Sequence, residues 1–202
     1  MTRNFSLLGP PASGKGTQGR RLAERFAVPY LSTGACLRRE IERGSAIGQQ
    51  AEGYLARNEF VPDSLAVDLV RSWLSEHDGG WVLDGFPRSL PQAEALVMDA
   101  GTNFQAIALE VPREELVRRV GLRRECVKCG RVAKEGEPVC PNCGGEWTVR
   151  DDDTPEKFRK RYEVYKNLTV PVLDFFEGRG QLTIIDGLGD RDVVWERIEE
   201  KL

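Results

Sequence analysis

One segment constrains this chain more than any other: Gly9-Pro10-Pro11-Ala12-Ser13-Gly14-Lys15-Gly16-Thr17. It follows Arg3 to Leu8, which reads as a short strand, and it opens Gly14 to Ala27, a helical stretch with Leu22 and Phe26 on one face. A glycine-bearing turn between strand and helix, closed by a lysine and a hydroxyl residue, is the setting of a phosphate-binding loop. Backbone N–H groups wrap the anion, the helix N-terminus adds partial positive charge, and the lysine reaches the transferring phosphate. A plain structural turn is the bland alternative, and it accounts for neither Lys15 nor Thr17.

The rest of the chain repeats the strand-helix alternation. Tyr30-Leu31 reads as a second strand after Pro29. Thr33 to Arg43 and Ile47 to Asn58 are helical but poorly apolar, which suits a small surface lobe. Pro62-Asp63 opens a helix bearing Leu65, Leu69, Val70, Trp73 and Leu74, and Trp81-Val82-Leu83 is a buried strand. Leu90 to Ala100 (helix), Phe104 to Val111 (strand) and Arg113 to Arg124 (helix) follow. After a cysteine-rich interruption come a helix from Pro155 to Glu177, a strand from Gln181 to Ile185 and a helix from Asp190 to Leu202. Five strands alternating with helices predict an α/β fold, a doubly wound parallel sheet covered on both faces.

Four cysteines fall in the interruption as Cys126-x2-Cys129-x10-Cys140-x2-Cys143, with Gly130 and Gly144 after each pair. This spacing suits one tetrahedral Zn²⁺. Met1 to Pro10 does not read as a signal peptide, so the expected compartment is reducing and cytoplasmic, where metal is favoured over disulfides. Four thiolates leave no open position, so the metal is structural and staples a segment that lacks apolar periodicity of its own.

With 202 residues the chain has room for one good core and an insertion or two. No apolar run approaches the roughly 20 residues of a membrane span. A net charge of -3 argues against bulk attraction to nucleic acid or anionic membranes. The basic residues are 22 arginines and only 7 lysines. Compositional drift explains most of that excess, but Arg119, Arg123, Arg124, Arg150 and Arg161 flank the cysteine segment, where they suit phosphate.

The Gly-Lys-Gly-Thr ending, with Gly16 where the strict pattern has Ser or Thr, resembles the nucleoside monophosphate kinases. Leu31-Ser32-Thr33-Gly34-Ala35-Cys36-Leu37-Arg38 and Leu83-Asp84-Gly85-Phe86-Pro87-Arg88-Ser89-Leu90-Pro91-Gln92 resemble the two acceptor segments of adenylate kinases. Over essentially its whole length the chain is similar to the long-lid, zinc-containing bacterial members of that family. The resemblance implies a P-loop core (1-31, 62-121 and 154-202), a helical monophosphate-binding lobe (32-61) and a four-cysteine zinc lid (122-153). It implies reversible transfer between ATP and AMP giving two ADP with Mg²⁺, by a cytoplasmic monomer that binds neither nucleic acid nor membrane.

The same resemblance assigns roles. Ala12, Ser13, Gly14, Lys15, Gly16 and Thr17 hold ATP phosphates, with Arg119, Arg123, Val132, Ala133 and Gly189 as further ATP contacts. Thr33 and Gln92 face the adenine of AMP, Glu59, Phe60 and Val61 line it, and Arg38 and Arg88 grip its phosphate beside Gly85, Phe86 and Pro87. Arg150 and Arg161 bridge the two nucleotides, and Lys15, Arg88, Arg123, Arg150, Arg161 and Asp84 carry catalysis. Physical reasoning supports Asp84 independently, at the C-terminal end of a central strand and able to hold water on Mg²⁺. Bland readings stay open: Asp84-Gly85 as a turn, Gln92 as a solvated helix residue, Arg38 as a surface charge, and Asp152 and Asp153 as acidic neighbours of a helix start.

The chain departs from the family pattern at Ala12, Ala35, Leu122 and Ala133, and its gap between cysteine pairs is short. Rival functions are a kinase of the same fold acting on another monophosphate or using GTP, and a nucleic-acid-binding zinc ribbon. Cys36 reads as a small buried hydrophobe and His77 as a surface residue at a helix end.

Overall fold

In the computed structural model, residues 4–57, 59–77, 79–101, 103–134, 136–150 and 153–202 are described. In chain order the elements begin with β1 (Asn4–Leu8), α1 (Lys15–Phe26), β2 (Tyr30–Ser32), α2 (Thr33–Glu42), α3 (Ala46–Ala56) and α4 (Asp63–Leu74). Then come β3 (Trp81–Asp84), α5 (Leu90–Ala100), β4 (Gln105–Glu110) and α6 (Arg113–Leu122). The cysteine segment contributes β5 (Glu125–Cys126) and β6 (Trp147–Thr148). The chain closes with α7 (Pro155–Val164), a π-helical turn (Tyr165–Thr169), α8 (Val170–Glu177), β7 (Leu182–Asp186) and α9 (Arg191–Glu199).

Five strands form a parallel sheet in the order β2-β3-β1-β4-β7, with Leu7 level with Asp84 and with Ile107. The strands are apolar runs because the sheet is covered on both faces, and the alternation of side chains sends neighbours to opposite cores. Leu8, Leu83, Ala106 and Ala108 pack with Leu69 and Val70 of α4, Leu96 of α5 and Phe176 of α8. Leu7, Val82, Ile107 and Leu109 pack with Leu22 of α1 and with Val194 and Ile198 of α9. The expected fold class and the five strands are found, and all five strands end at the edge where α/β sheets place their ligands.

Two expected elements differ. The single helix from Pro155 to Glu177 is broken by the π-helical turn, where the N–H of Val170 reaches the carbonyl of Tyr165. Pro171, at the start of α8, has no N–H to give and its ring crowds the carbonyl four residues back, so the helix widens ahead of it. The helix from Arg113 stops at Leu122 instead of Arg124, and Arg123 turns extended toward the cysteine segment. Among its described residues the cysteine segment holds only the two-residue pair β5–β6 as named strands. His77 is half-buried, its ring stacked on Trp73 with centroids 4.2 Å apart. Cys36 is half-buried against the larger core. Asp152 lies outside the described residues.

Candidate active site and metal site

The loop after β1 turns on Gly14, whose φ of 99° lets it cap α1 in a left-handed conformation. Ala12 also adopts a positive φ, 66°, at a cost of about 1 kcal/mol for a residue with a Cβ. The Lys15 ammonium lies inside its own loop, donating to the carbonyls of Gly9 at 2.8 Å and Pro10 at 2.7 Å. Burial lowers the Lys15 pKa to about 7, reinforced by Arg88, Arg161 and Arg123 and opposed by Asp84.

A cleft of about 920 Å³ opens at the C-terminal edge of the sheet, a size that suits small-molecule ligands. It is lined by the loop from Ala12 through Thr17. Arg38, Phe60, Asp84, Gly85, Pro87 and Arg88 line the same cleft, and so do Arg123, Arg150 and Arg161. Arg88 is fixed by a 2.6 Å bond to the Gly85 carbonyl and lies 4.8 Å over the Phe60 ring. The hydroxyl of Thr169, presented by the π-helical turn, donates to the Arg88 carbonyl at 2.9 Å. Arg123 donates from Nε to Asp153 at 2.6 Å, and Arg161 stands 4.0 Å from the same carboxylate. Arg150 is paired with Glu125. Arg119 donates to the Gly187 carbonyl at 2.9 Å and to Glu115 at 2.8 Å, which places it beside Gly189.

A profile of the adenylate kinase family matches residues 7–181. The chain is 40% identical to an adenylate kinase of Archaeoglobus fulgidus, over 97% of this chain and 96% of the relative. It is 41% identical to an adenylate kinase of Lachnoclostridium phytofermentans, over 95% of this chain and 94% of the relative. A Methanothrix thermoacetophila adenylate kinase is 40% identical over 98% of both chains. The chain belongs to the adenylate kinase family. It is therefore a member of a phosphotransferase family.

Not every residue named from the sequence reaches the cleft. Val61 and Phe86 are core residues, and Glu59 is exposed and paired with Arg57 at 2.9 Å. Gln92 is 2% exposed, so it is no solvated helix residue. Its amide is held at both ends, accepting from the Arg88 N–H at 2.8 Å and donating to Asp63 at 2.7 Å. Thr33 turns its hydroxyl onto the carbonyls of Asp84 and Gly85. Asp153 is fully buried beside two arginines and is far more than a helix neighbour.

Sequence reasoning missed Arg191, which donates to the lid carbonyls of Val132 at 3.2 Å and Ala133. It also missed Arg20, 3.3 Å from the Cys129 carbonyl. Arg191 opens a helix just beyond the C-terminal end of a strand, a position where ligand-site residues gather, and that was a usable signal.

The four cysteine sulfurs lie within 4.8 Å of one another and form a group that could hold a metal ion. Cys126 and Cys143 sulfurs are 3.4 Å apart and those of Cys129 and Cys140 3.6 Å. Four sulfurs at about 2.3 Å from a tetrahedral zinc are separated by about 3.8 Å, so the set fits. Gly130 and Gly144, at φ of 68° and 66°, close each knuckle with N–H bonds to the carbonyls of Cys126 and Cys140. Burial opposes ionisation of Cys126, but N–H groups of Cys129 and Lys128 and the neighbouring thiols bring it down to about 6. Among the described residues no helix is long and apolar enough to cross a membrane.

Proposed function

We propose that this chain catalyses reversible phosphoryl transfer from ATP to AMP, giving two ADP. One observation carries the reading: one cleft is lined jointly by the phosphate loop, by Arg38 and Arg88, and by Arg123, Arg150 and Arg161. Transfer of a phosphoryl group needs little covalent chemistry from the protein, so catalysis is charge neutralisation and in-line placement. Loop N–H groups from Ser13 to Thr17 hold the donor phosphates, and Lys15 leaves its loop carbonyls for the transferred group. Arg88 and Arg38 orient the acceptor phosphate, and Arg123, Arg150 and Arg161 spread the charge that develops between the two. Magnesium bound with the nucleotide supplies further neutralisation, and Asp84 is the residue that would hold its water shell.

Arg119, Val132, Ala133 and Gly189 form the donor-base end of the cleft in this reading. For AMP, Phe60 lies against the base. Gln92 and Thr33 act through the segment they brace until the monophosphate draws them round. Zinc on the four cysteines makes 122-153 a rigid flap, closing over the core (1-31, 62-121, 154-202) opposite the lobe 32-61 and excluding water. The net charge of -3 supports small nucleotides over nucleic acid as partners.

Phosphorus NMR of the protein given only ADP and Mg²⁺ tests the reading. Equal amounts of ATP and AMP are expected, and ADP that persists unchanged would overturn it.

A further inference from the structure

Tyr30 has no part in the machinery above, yet its phenol donates to Asp84 Oδ2 at 2.7 Å. Strand register makes the contact possible. Ser32 sits level with Asp84, so Tyr30, two residues earlier on the same face of β2, is a diagonal neighbour that a long side chain can bridge. The ring is locked in place. A Cβ added at Gly19 would come 2.8 Å from its Cε2, and the Arg20 guanidinium lies 4.9 Å over the ring. Gly16, where a strict phosphate loop has a hydroxyl residue, leaves the room this pair occupies. A Cβ there would stand 3.3 Å from Asp84 Oδ2 and 3.5 Å from the Tyr30 hydroxyl.

We infer that Tyr30 is a positioning residue, fixing one oxygen of Asp84 so that the carboxylate keeps a single orientation toward the metal-nucleotide in the cleft. The inference rests on the reading of Asp84 as the residue that holds the metal's water shell. Burial, then the Asp84 charge, raises the Tyr30 pKa well above its ordinary value, so the phenol remains a donor throughout the working range. A freely rotating carboxylate would have to be ordered on binding, and a donor already in place removes that cost.

The test is a double-mutant cycle read by calorimetry of ATP binding, with Mg²⁺ and with chelator, on the full chain. Tyr30→Phe is expected to cut the gain in ATP affinity that Mg²⁺ confers by about fivefold, the order of one hydrogen bond. Metal-free ATP binding and AMP binding are expected to stay within twofold. On an Asp84→Asn background, Tyr30→Phe is expected to have no further effect on the Mg²⁺ gain. An unchanged Mg²⁺ gain in Tyr30→Phe overturns the inference. So does an equal loss with and without Mg²⁺, accompanied by a lower melting temperature, which marks a merely structural tyrosine. If Asp84→Asn keeps the full Mg²⁺ gain, the reading of Asp84 fails and takes this inference with it, while the phosphorus NMR result on ADP is left standing.

Discussion

Arg123 and Asp153 meet in a buried, two-pronged ion pair, with Nε 2.6 Å from one carboxylate oxygen and a terminal nitrogen on the other. The pair spans the cysteine segment: Arg123 stands where α6 ends and Asp153 just ahead of α7. Asp153 is fully buried and Arg123 is 12% exposed, so neither charge has water to fall back on. The bond therefore closes the base of the lid and aims a cleft arginine at once.

Breaking one side of this pair is expected to be costly. Asp153→Ala leaves Arg123 and Arg161 facing each other without their shared carboxylate. A loss of about 3 kcal/mol in unfolding free energy is expected. Urea denaturation monitored by tryptophan fluorescence measures it, and a loss below about 1 kcal/mol would show that the pair is well solvated.

If Lys15 holds nucleotide phosphate as proposed, binding is expected to depend on pH. Its pKa is near 7 in this structure, against 10.5 for the free side chain. A bound polyphosphate favours the charged ammonium and raises that value, so binding above pH 7 must take up a proton. Calorimetry at pH 8 in two buffers of different ionisation enthalpy should show uptake approaching one proton, with ATP affinity falling from pH 7 to 9. The sign for folding is fixed by the same numbers. The unfolded chain binds more protons between about 7 and 10.5, so this group's contribution to stability rises with pH across that window.

Removing a lid metal and undocking the lid should differ in kind. Chelation from the metal-loaded protein is expected to speed amide exchange throughout 125–148 while leaving β1, β3 and β4 protected, because among its described residues the segment buries almost no apolar side chain beyond its cysteines. Arg191→Ala removes donors from the Val132 and Ala133 carbonyls and is expected to speed exchange only around that edge. Exchange measured by mass spectrometry separates the two. Protection that survives chelation would show that the fold of the lid needs no metal.

Much of the fold could be read directly. Leu90 to Ala100 is a helix with the bounds the pattern predicts, and α4 starts at Asp63 as the Pro62-Asp63 pair indicates. These elements are local: capping, proline placement and apolar spacing decide them within a dozen residues. The break at Tyr165–Thr169 was missed because helical periodicity runs through it, although Pro171 stood in the run as a local signal. For Gln92 and Thr33 the residue type was plain but its aim was not. Asp63 and the backbone at 84–85 take up their polar groups.

Sequence alone determined the phosphate loop, the strand-helix alternation that produces a doubly wound sheet, and the four-cysteine cluster, since each is written in short-range spacing. Which charges face one another was decided only by the tertiary structure. Strand order brings Tyr30 to Asp84, and the end of α6 meets the start of α7 so that Arg123 finds Asp153. The approach of α9 to the lid sets Arg191 on its carbonyls in the same way. Such pairs join residues dozens of positions apart, and local spacing holds no term for that distance. Closure of the sheet and the burial that strips water from these groups supply it.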